Sequence, residues 1–392
     1  MNLILFDDPV IRLNLLPFTF TRPVAKIRVG ILTIDEKWEK WFGIKPAFQT
    51  QPYLQTKYPP PVSAGQNLLI NAALCPDEKL VDKIKGLPSG YFLVKNQVLL
   101  AANNPGNEMN QLNTLEYPDA VTLIDKSWKI FSENGKQLRL DFTLITKGRR
   151  SAQMPDKHTV VYGEENLFLE EGVTLKAAVI NAENGPVYLG RNSIVQEGAM
   201  IRGAFALCEG GHLNMGAKVR GDTTIGPYSK VGGEISTSVL FGYSNKAHDG
   251  FLGCSVLGEW CNLGADTNTS NLKNNYDHVR LWSHASGSFE STGLQFCGLM
   301  MGDHSKSSIN TMFNTGTVVD VSANVFGEGF PRNYIPSFAW GGSGGFSTYK
   351  IDKALETAER AMARRNVVLD KVEQDILITV YQMTAVTRAW EK

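Results

Sequence analysis

The sequence predicts an α/β domain over residues 1–155, a parallel β-helix over residues 156–346 and a C-terminal helical segment over residues 347–392. Three observations support this division. A six-residue aliphatic period runs through the middle of the chain, the first part mixes strand and helix patterns without it, and no Gly or Pro follows Thr348. Mixed strands and helices favour an α/β domain, whereas a sustained six-residue period is typical of stacked β-helix turns.

Every sixth position between residues 189 and 231 is aliphatic, which is the main evidence for the β-helix. In such a fold each hexapeptide forms a short strand and a turn, and its aliphatic side chain points into a shared core. This series comprises Leu189, Val195, Ile201, Leu207, Leu213, Val219, Ile225 and Val231. The period continues downstream at Leu257, Leu263, Met301, Phe313, Val319 and Val325. Upstream, before a slip in the period, it is expected at Val161, Leu167, Val173 and Val179.

Breaks in the period predict where the chain leaves the β-helix. Residues 181–186 and the longer stretch 270–292 are expected to be insertions, which in repeat proteins often carry binding surfaces. The Gly-rich residues 341–345 predict a flexible break. Beyond them an apolar series predicts one long helix or two shorter ones that cap the end of the β-helix. Its members are Ile351, Leu355, Met362, Val368, Val372, Ile376 and Val380.

Short apolar runs alternate with helical patterns in the first part of the chain. Strands are predicted at residues 3–6 and 68–71, helices at 34–42 and 77–84, and a hairpin at 91–100 with its turn near Asn96. Residues 120–145 predict strand runs interrupted at Asn134-Gly135. These elements together predict a small α/β domain.

Composition argues against several classes of function. The 392 residues carry a net charge of zero, so no broad basic field for nucleic acid or anionic lipid is expected. No apolar run reaches the roughly 18 residues that a membrane span needs, and the acidic residues after position 6 argue against a signal peptide. The five cysteines show no metal-binding spacing, and they predict reduced thiols in a cytoplasmic protein.

One part of the β-helix region resembles a known enzyme family. Residues 246–253, 257–258, 261–265 and 267–271 are similar to the acetyltransferase domain of the bifunctional GlmU family, whose hexapeptide repeats form a left-handed parallel β-helix. The resemblance implies acetyl-CoA-dependent N-acetylation of glucosamine-1-phosphate, followed by uridylyl transfer from UTP to the sugar-1-phosphate. It also implies a homotrimer with the CoA site between subunits.

The match centres on His248, Asn262 and Asn271, which keep the family's spacing without a gap. His248 is the expected general base, because an imidazole titrates near neutral pH and can take the proton of the attacking amine. The two carboxamides each donate and accept hydrogen bonds, which suits the hydroxyl and amino groups of a sugar. Glu234, which lies at the family's spacing before the histidine, is a further substrate-binding candidate.

The chain departs from the family pattern at two positions. Ser236 replaces a phosphate-binding lysine, and Phe251, still expected to contact the substrate, replaces a tyrosine. The sugar phosphate would then be held by Arg220 or Lys246, since cationic side chains bind phosphate oxygens, or the acceptor is a different amino sugar.

The N-terminal part, with residues 16–23 and 28–30, looks like the diverged nucleotidyltransferase domain of a Bacteroidetes-type alternative form of the same enzyme. The family's glycine-rich phosphate loop is absent, and Asp7 and Asp8 follow the first strand in its place. By position, Arg12 and Arg22 are expected to neutralise the nucleotide phosphates instead.

A magnesium ion is the metal that this resemblance implies, bound together with UTP. Asp7 or Asp8 is the candidate ligand, although the pair is also a common strand-to-turn signal. Asn71 occupies the place of the family's metal-binding aspartate, and an amide is a weaker magnesium ligand. His278 and His284 lie six residues apart, but no third ligand with sensible spacing accompanies them, so no zinc site is predicted.

Three functions remain open at this point. The first is a bifunctional enzyme that acetylates at His248 and transfers a uridylyl group in the N-terminal domain. The second is a single-activity hexapeptide acyltransferase whose N-terminal domain only binds. The third is a non-catalytic sugar-nucleotide sensor or scaffold. The missing glycine loop favours the second and third, whereas the retained histidine and asparagines favour the first and second.

Overall fold

The structure, a computed structural model, describes residues 2–61, 65–105 and 113–391. Within these residues the N-terminal α/β domain contains β1 (Asn2–Phe6), α1 (Pro9–Asn14), α2 (Ile34–Phe42), β2 (Ala47–Gln49), β3 (Asn67–Asn71), β4 (Leu74–Cys75), α3 (Glu78–Lys85), β5 (Phe92–Lys95), β6 (Val98–Asn103), β7 (Thr114–Glu116), β8 (Thr122–Leu123), α4 (Lys129–Ser132) and α5 (Asn134–Thr146). Its main sheet is mixed, with the order β2-β1-β3-β6-β5-β7.

Most predicted elements of this domain are confirmed. The predicted strands and helices correspond to β1, β3, α2 and α3, and the predicted hairpin to β5 and β6. Its turn lies at Asn96 and Gln97, which adopt positive φ angles of 48° and 68°. A capping box between Thr33 and Glu36 begins α2, and Gly43, with a φ of 67°, ends it.

The prediction for residues 120–145 was wrong. Apart from β8, this segment forms α4 and α5. Asn134 and Gly135 begin α5 at a contact with a later part of the chain, where the carboxamide of Asn134 binds the Gly30 N–H (2.7 Å) and the Asp222 carbonyl (2.9 Å). A Cβ on Gly135 would lie 2.3 Å from the Asp222 carboxyl group. This Asn-Gly pair therefore serves a tertiary contact and does not form a turn.

Residues 160–348 form a parallel β-solenoid of the left-handed β-helix type, as predicted. Its strands are β9 (Val160–Tyr162), β10 (Leu167–Leu169), β11 (Thr174–Leu175), β12 (Val179–Asn181), β13 (Val187–Leu189), β14 (Ile194–Val195), β15 (Met200–Arg202), β16 (Phe205–Leu207), β17 (His212–Leu213), β18 (Lys218–Arg220), β19 (Thr223–Ile225), β20 (Lys230–Val231), β21 (Glu234–Ser236), β22 (Val239–Gly242), β23 (Asn245–Lys246), β24 (Phe251–Gly253), β25 (Val256–Glu259), β26 (Asn268–Thr269), β27 (Arg280–Ser283), β28 (Ser288–Ser291), β29 (Met300–Met301), β30 (Lys306–Ser307), β31 (Met312–Phe313), β32 (Val318–Val319), β33 (Asn324–Val325), β34 (Tyr334–Ile335), β35 (Ala339–Gly342) and β36 (Gly345–Thr348).

The solenoid strands stack into three faces. The docking face is the sheet β10-β13-β16-β19-β22-β25-β29-β32-β34. The cavity face is the sheet β11-β14-β17-β20-β23, which continues through Asn262 into β30-β33-β35-β36. The third face is the sheet β24-β21-β18-β15-β12-β9. The predicted insertion at residues 270–292 contains the antiparallel hairpin β27–β28, which forms a separate two-stranded sheet.

The six-residue aliphatic series forms the inner ladder of the solenoid. Its residues between Leu189 and Val231 are at most 3% exposed, and the downstream residues between Leu257 and Val325 at most 2%. Neighbouring turns stack in register, so that Leu189 pairs with Leu207 and Leu207 with Ile225. The predicted period is confirmed over this range, because each member buries its side chain between those of the turns above and below.

Upstream of the slip, the predicted phase was right at Val161, which pairs with the buried Ile180, but wrong at Leu167, Val173 and Val179. Val179 is 40% exposed, whereas its neighbour Ile180 is fully buried. Leu169, two residues after the predicted Leu167, pairs with Leu189. That pair is 20 residues apart (189 − 169), whereas the next pair in the ladder is 18 apart (207 − 189). Counting backwards in sixes therefore loses the register at the longer first turn.

The N-terminal domain packs on the docking face of the solenoid. One continuous core cluster contains Phe18 and Trp38 from the domain and Phe241, Val256 and Met300 from the solenoid. The rings of Phe18 and Phe241 lie 5.3 Å apart between centroids. The two parts therefore share apolar side chains that neither could bury alone.

Two C-terminal helices, α6 (Ile351–Ala363) and α7 (Lys371–Met383), follow the solenoid. They lie along its side, where Met362 and Ile376 pack with Leu54 of the N-terminal domain and with Phe338. Among the described residues after Thr348, Trp390 alone packs on the inner ladder, beside Phe346. The predicted cap is thus limited to the last residues. No helix within the described residues is long and apolar enough to cross a membrane.

The predicted flexible break at residues 341–345 is instead the turn of a hairpin. Strand β35 pairs antiparallel with β36, with Gly342 opposite Gly345. A Cβ on Gly341 would lie 2.2 Å from the Gly345 carbonyl oxygen, so the glycines allow close approach of two backbones.

Candidate active site

A cavity of about 640 Å³ lies between the cavity face and the C-terminal end of α6. Its volume is within the range of about 300–1,000 Å³ that is usual for small-molecule sites. It brings together His248 and Asn262, two of the residues predicted to share one site. The lining residues are Lys230, Tyr243, Asn245, Ala247, His248, Trp260, Cys261, Asn262, Leu263, Gly264, Ala265, Lys306, Ile309, Ala361, Arg364 and Arg365.

His248 lies exposed in the turn that follows β23, and Lys246 holds this turn from inside the solenoid. Lys246 is 2% exposed and occupies an inner-ladder position beside Val231. Its Nζ donates hydrogen bonds to the carbonyl oxygens of His248 (2.5 Å) and Asp249 (3.1 Å). The predicted contact of Lys246 with a substrate phosphate is therefore wrong. Burial lowers the pKa of Lys246 to about 8, although Asp249 and Asp266 oppose this shift.

Cationic side chains surround the cavity. Lys230 and Lys306 belong to the cavity face, with Asn245 and Asn262 on the two turns between them, and Arg364 and Arg365 follow α6. Of the described residues that line the cavity, none carries a carboxylate. Burial lowers the pKa of Lys230, and the positive charges of Arg365 and Arg364 lower it further. The cavity is therefore built to receive an anion, because the mutual repulsion of these groups is relieved by negative charge.

Asn262 and two aromatic rings complete the wall. The Nδ2 group of Asn245 lies 3.5 Å from the Asn262 Oδ1 atom, and Arg365 donates to the Asn245 Oδ1 atom at 2.9 Å. The rings of Tyr243 and Trp260 stack with centroids 4.2 Å apart and an interplanar angle of 13°. The site thus combines an imidazole, carboxamides, cations and a flat apolar surface.

The remaining predicted substrate-binding residues lie on or beside the third face, outside this cavity. Glu234 is in register with Phe251, and the Arg220 Nε atom lies 3.6 Å from the Glu234 Oε1 atom. Asn271, in the segment after β26, donates to the Cys254 sulfur at 3.6 Å. The predicted site residues therefore fall into two sets on either side of the turn that carries His248. Asn262 lines the cavity, whereas the other four lie on or beside the third face.

In the N-terminal domain, Arg12 and Asp7 form a buried pair at 3.0 Å. The Arg12 guanidinium also donates to the carbonyl oxygens of Thr19 and Arg22 and to the Tyr53 hydroxyl. Burial raises the pKa of Asp7, whereas Arg12 lowers it. These contacts occupy Arg12 inside the domain and do not fit the predicted neutralisation of phosphates.

Of the three predicted magnesium ligands, Asp7 and Asn71 are engaged in structural hydrogen bonds, whereas Asp8 keeps one carboxylate oxygen for another ligand. The two oxygens of Asp7 accept from Arg12, from Thr50 and from the Val24 N–H, and Asn71 is buried between the Leu99 carbonyl and the Ala73 N–H. Asp8 uses its Oδ1 atom to cap α1 and keeps Oδ2 for another ligand. Asp8 therefore stays the predicted magnesium ligand, while Asp7 and Asn71 have structural partners. The described residues contain no cluster of three His, Cys, Asp or Glu that could hold a metal ion.

Arg22 lies between the two parts of the chain and not at an open cleft. Its guanidinium binds the Asp303 carboxylate at 2.6 and 3.0 Å and lies 3.1 Å from Glu259. Asp303 also accepts from the Thr21 hydroxyl at 2.5 Å. The predicted role of Arg22 in nucleotide binding is corrected accordingly. Residues 16–23, which carried the resemblance to a nucleotidyltransferase, also contain the contacts that attach the domain to the solenoid.

Comparison with known proteins agrees with the N-terminal fold. Residues 3–150 match the family model described as sugar nucleotidyl transferase. A search of curated proteins found no match. A sugar nucleotidyl transferase domain followed by a β-solenoid is consistent with GlmU-like hexapeptide-repeat proteins, and it supports a transferase of sugar-nucleotide biosynthesis.

Proposed function

We propose that the solenoid transfers an acetyl group from acetyl-CoA to the amine of glucosamine-1-phosphate or a related amino sugar. The observation that supports this most is the cationic cavity with His248 at its edge. In the reaction the amine nitrogen attacks the thioester carbon, a C–N bond forms and the C–S bond breaks. His248 takes the proton from the amine nitrogen and returns it to the leaving sulfur, so that CoA leaves as the thiol. Lys246 contributes by fixing the backbone of the turn that carries His248.

Acetyl-CoA suits the cavity because it joins several phosphates to a planar adenine ring. Lys230, Arg364 and Arg365 would bind the phosphates, since guanidinium and ammonium groups form charge-assisted hydrogen bonds with their oxygens. The stacked rings of Tyr243 and Trp260 offer an apolar surface to the adenine. Asn262 would bind the acceptor amine or a sugar hydroxyl.

The binding site for the acceptor sugar would be completed by four residues on or beside the third face, Glu234, Arg220, Phe251 and Asn271. We propose that they act in a homotrimer, in which this face is covered by a neighbouring subunit. An exposed apolar strip at the start of the third face supports this proposal, because solvent-exposed apolar strips often mark association surfaces. Its members are Val160, Tyr162, Val179 and Met200, each at least 40% exposed.

Release of free thiol from acetyl-CoA in the presence of glucosamine-1-phosphate tests the acyl transfer. In His248→Ala we expect the rate to fall about 10²- to 10⁴-fold, the usual contribution of a general base. His158→Ala is the matched control, since His158 is also exposed but lies outside the cavity. Thiol release at the wild-type rate in His248→Ala would remove the base assignment.

Arg364→Glu tests the anion site separately. We expect a KM for acetyl-CoA at least about tenfold higher with a smaller change in kcat, because the substitution acts on binding. Arg150→Glu, which changes an exposed arginine outside both the cavity and the third face, is the control. If both variants raise the KM equally, the effect is one of general charge and the cavity is not the CoA site.

Light scattering tests the trimer. We expect a trimer for the wild type and a smaller species for Met200→Asp, because a carboxylate in an apolar interface costs desolvation energy. A wild-type monomer at micromolar concentration would contradict the proposed acceptor site.

A second candidate function is uridylyl transfer from UTP to N-acetylglucosamine-1-phosphate, which the family match of residues 3–150 favours. Pyrophosphate release in the presence of UTP and Mg²⁺ measures it. Asp8→Ser keeps an oxygen for capping α1 but removes the carboxylate, so a lower rate in this variant would support Asp8 as a metal ligand. An unchanged rate would remove that role. If neither thiol nor pyrophosphate forms, the non-catalytic sensor or scaffold is the remaining function.

A further inference from the structure

A second cavity, of about 650 Å³, lies between the hairpin β27–β28 and the last turns of the solenoid. Its lining residues are Lys273, Arg280, Trp282, Phe289, Thr315, Arg332, Asn333 and Tyr334. It shares no described lining residue with the cavity at His248, and every lining residue comes from the solenoid or its insertion. It is therefore a separate site from the one proposed for acyl transfer.

The hairpin separates this cavity from the N-terminal domain by turning different side chains to its two sides. Leu281 is buried in the core shared with that domain, and Glu290, opposite Leu281, pairs with Lys126 of the domain at 3.3 Å. Because side chains alternate along a strand, the opposed pair Trp282 and Phe289 lies on the other side and lines the cavity, and Trp282 also packs against the edge of the shared core. The domain thus holds one side of the hairpin in place, and the other side forms a wall of the cavity.

That wall is aromatic. The ring of Trp282 stacks on Tyr334 with centroids 4.3 Å apart and an interplanar angle of 10°. Phe289 meets Trp282 edge-on at 5.4 Å. The three rings connect the hairpin to β34, so the cavity has a rigid apolar side against which a planar group can pack.

Three cations rim the cavity. Arg280 donates to the Phe289 carbonyl and Lys273 to the His278 carbonyl, which fixes their side chains near the opening. Arg332 is exposed and begins the approach to β34. None of the three forms an ion pair with a described carboxylate, and none of the described lining residues is acidic. This positive charge is therefore available to a ligand.

We propose that this cavity binds a nucleotide, that is, a ligand with a planar base and a phosphate or diphosphate group. The base would pack on the aromatic wall, and the phosphates would lie among Arg280, Arg332 and Lys273. Thr315 and Asn333 supply hydrogen-bonding groups at the same wall. The proposal goes beyond the proposed catalytic functions, because it gives this separate cavity a binding role only.

Photolabelling of the full chain with 8-azido-ADP, followed by peptide mapping, locates the site directly. We expect label on residues 280–291 or 332–334, with protection by ADP and about tenfold weaker protection by adenosine or by pyrophosphate alone. Arg332→Glu should weaken protection by ADP at least about tenfold, and Arg202→Glu should leave it unchanged. Phe289→Ala should weaken the protection by ADP while leaving the protection by pyrophosphate unchanged.

The cavity at His248 provides a second control, since Arg364→Glu should not alter labelling of the hairpin. The proposal is overturned if the label is absent from both segments in the wild type. It is equally overturned if ADP protects the Arg332→Glu variant from labelling as well as it protects the wild type. It is also overturned if pyrophosphate protects as well as ADP, because the base would then contribute nothing. Circular dichroism and urea unfolding show whether each variant remains folded, so a loss of label can be assigned to the site.

Discussion

At the scale of single residues, Lys246 connects the interior of the solenoid to the candidate active site. Its stem fills a ladder position that is aliphatic in most turns, and its ammonium group holds two carbonyl oxygens of the turn with His248. An ammonium group in such a position is costly to bury, which explains why its pKa falls to about 8. The two hydrogen bonds of the ammonium group offset this cost, and they fix the backbone next to the predicted base.

Replacing Lys246 by methionine tests this account through pH. The pKa of Lys246 is about 8 in the folded state and 10.5 in its ordinary state, so between these values the unfolded chain binds more protons. Wild-type stability should therefore gain roughly 1 to 3 kcal/mol relative to Lys246→Met as the pH rises through this window. The difference in urea unfolding free energy measures it.

Lys218→Met, which changes an exposed lysine on the third face, is the matched control and should show no such rise. A difference between the wild type and Lys246→Met that is independent of pH would contradict the shifted pKa.

Residue positions along the cavity face explain which site residues could be predicted. Lys230 and Lys306 each precede an inward residue, so the pattern of one outward and one inward position identifies them as outward-facing, and both are half-buried. Lys246 was misplaced because its turn is 15 residues long (246 − 231), three fewer than the turn before it (231 − 213). Counting in sixes across that shortened turn places Lys246 on the surface.

At the scale of elements, the solenoid depends on close approach of neighbouring turns at glycine corners. A Cβ on Gly226 would lie 2.1 Å from the Phe241 carbonyl oxygen and 2.4 Å from that of Leu240. Both are backbone atoms of the next turn, so a side chain here would force the turns apart. The spacing between parallel strands is fixed at about 4.8 Å, so such a displacement breaks hydrogen bonds along the stack.

Gly226→Ala should therefore lower the free energy of unfolding by on the order of 3 kcal/mol, at the upper end of typical overpacking costs. Gly344→Ala is the control, because a Cβ there would meet nothing within 4 Å. We expect it to change the stability by less than about 0.5 kcal/mol. Equal effects in urea unfolding would mean that the Gly226 corner has room for a side chain.

The elements also show where local sequence signals fail. The strands and helices with clear periodicity, such as α2 and the ladder from Leu189 to Val231, were predicted correctly. Residues 341–345 were predicted to be a flexible break, and Asn134-Gly135 an interruption between strand runs. In both cases a Cβ would lie within 3 Å of a distant segment, the Phe326 carbonyl oxygen for Gly342 and the Asp222 carboxyl group for Gly135, and such a contact has no local signature.

At the scale of the whole molecule, Arg22 and Asp303 form the charged centre of the interface between the N-terminal domain and the solenoid. Although burial opposes it, Arg22 and the Thr21 hydroxyl hold the pKa of Asp303 below its usual 3.8. The contribution of the pair to stability is present at neutral pH and is lost as the pH falls through the lowered pKa. A single chain offers no signal for a pair 281 residues apart, so the sequence alone suggested a nucleotide contact for Arg22.

Removing one partner of this buried pair should be strongly destabilising. We expect Arg22→Met to cost about 3 to 5 kcal/mol, because it leaves the Asp303 carboxylate buried without a partner. The double variant Arg22→Met with Asp303→Asn should cost less than the sum of the two single changes. Urea unfolding measures the four free energies, with Arg202→Met as an exposed control. Additive costs would show that the two groups do not interact.

The shared core on the docking face has a practical consequence for anyone who wishes to study the two halves separately. Cutting the chain near residue 155 would uncover Phe241, Val256 and Met300 on one fragment and Phe18 on the other. Such fragments would expose large hydrophobic surfaces to water and precipitate during expression, unless they were produced together and recombined. The two proposed chemistries are therefore best dissected by point substitution in the intact polypeptide.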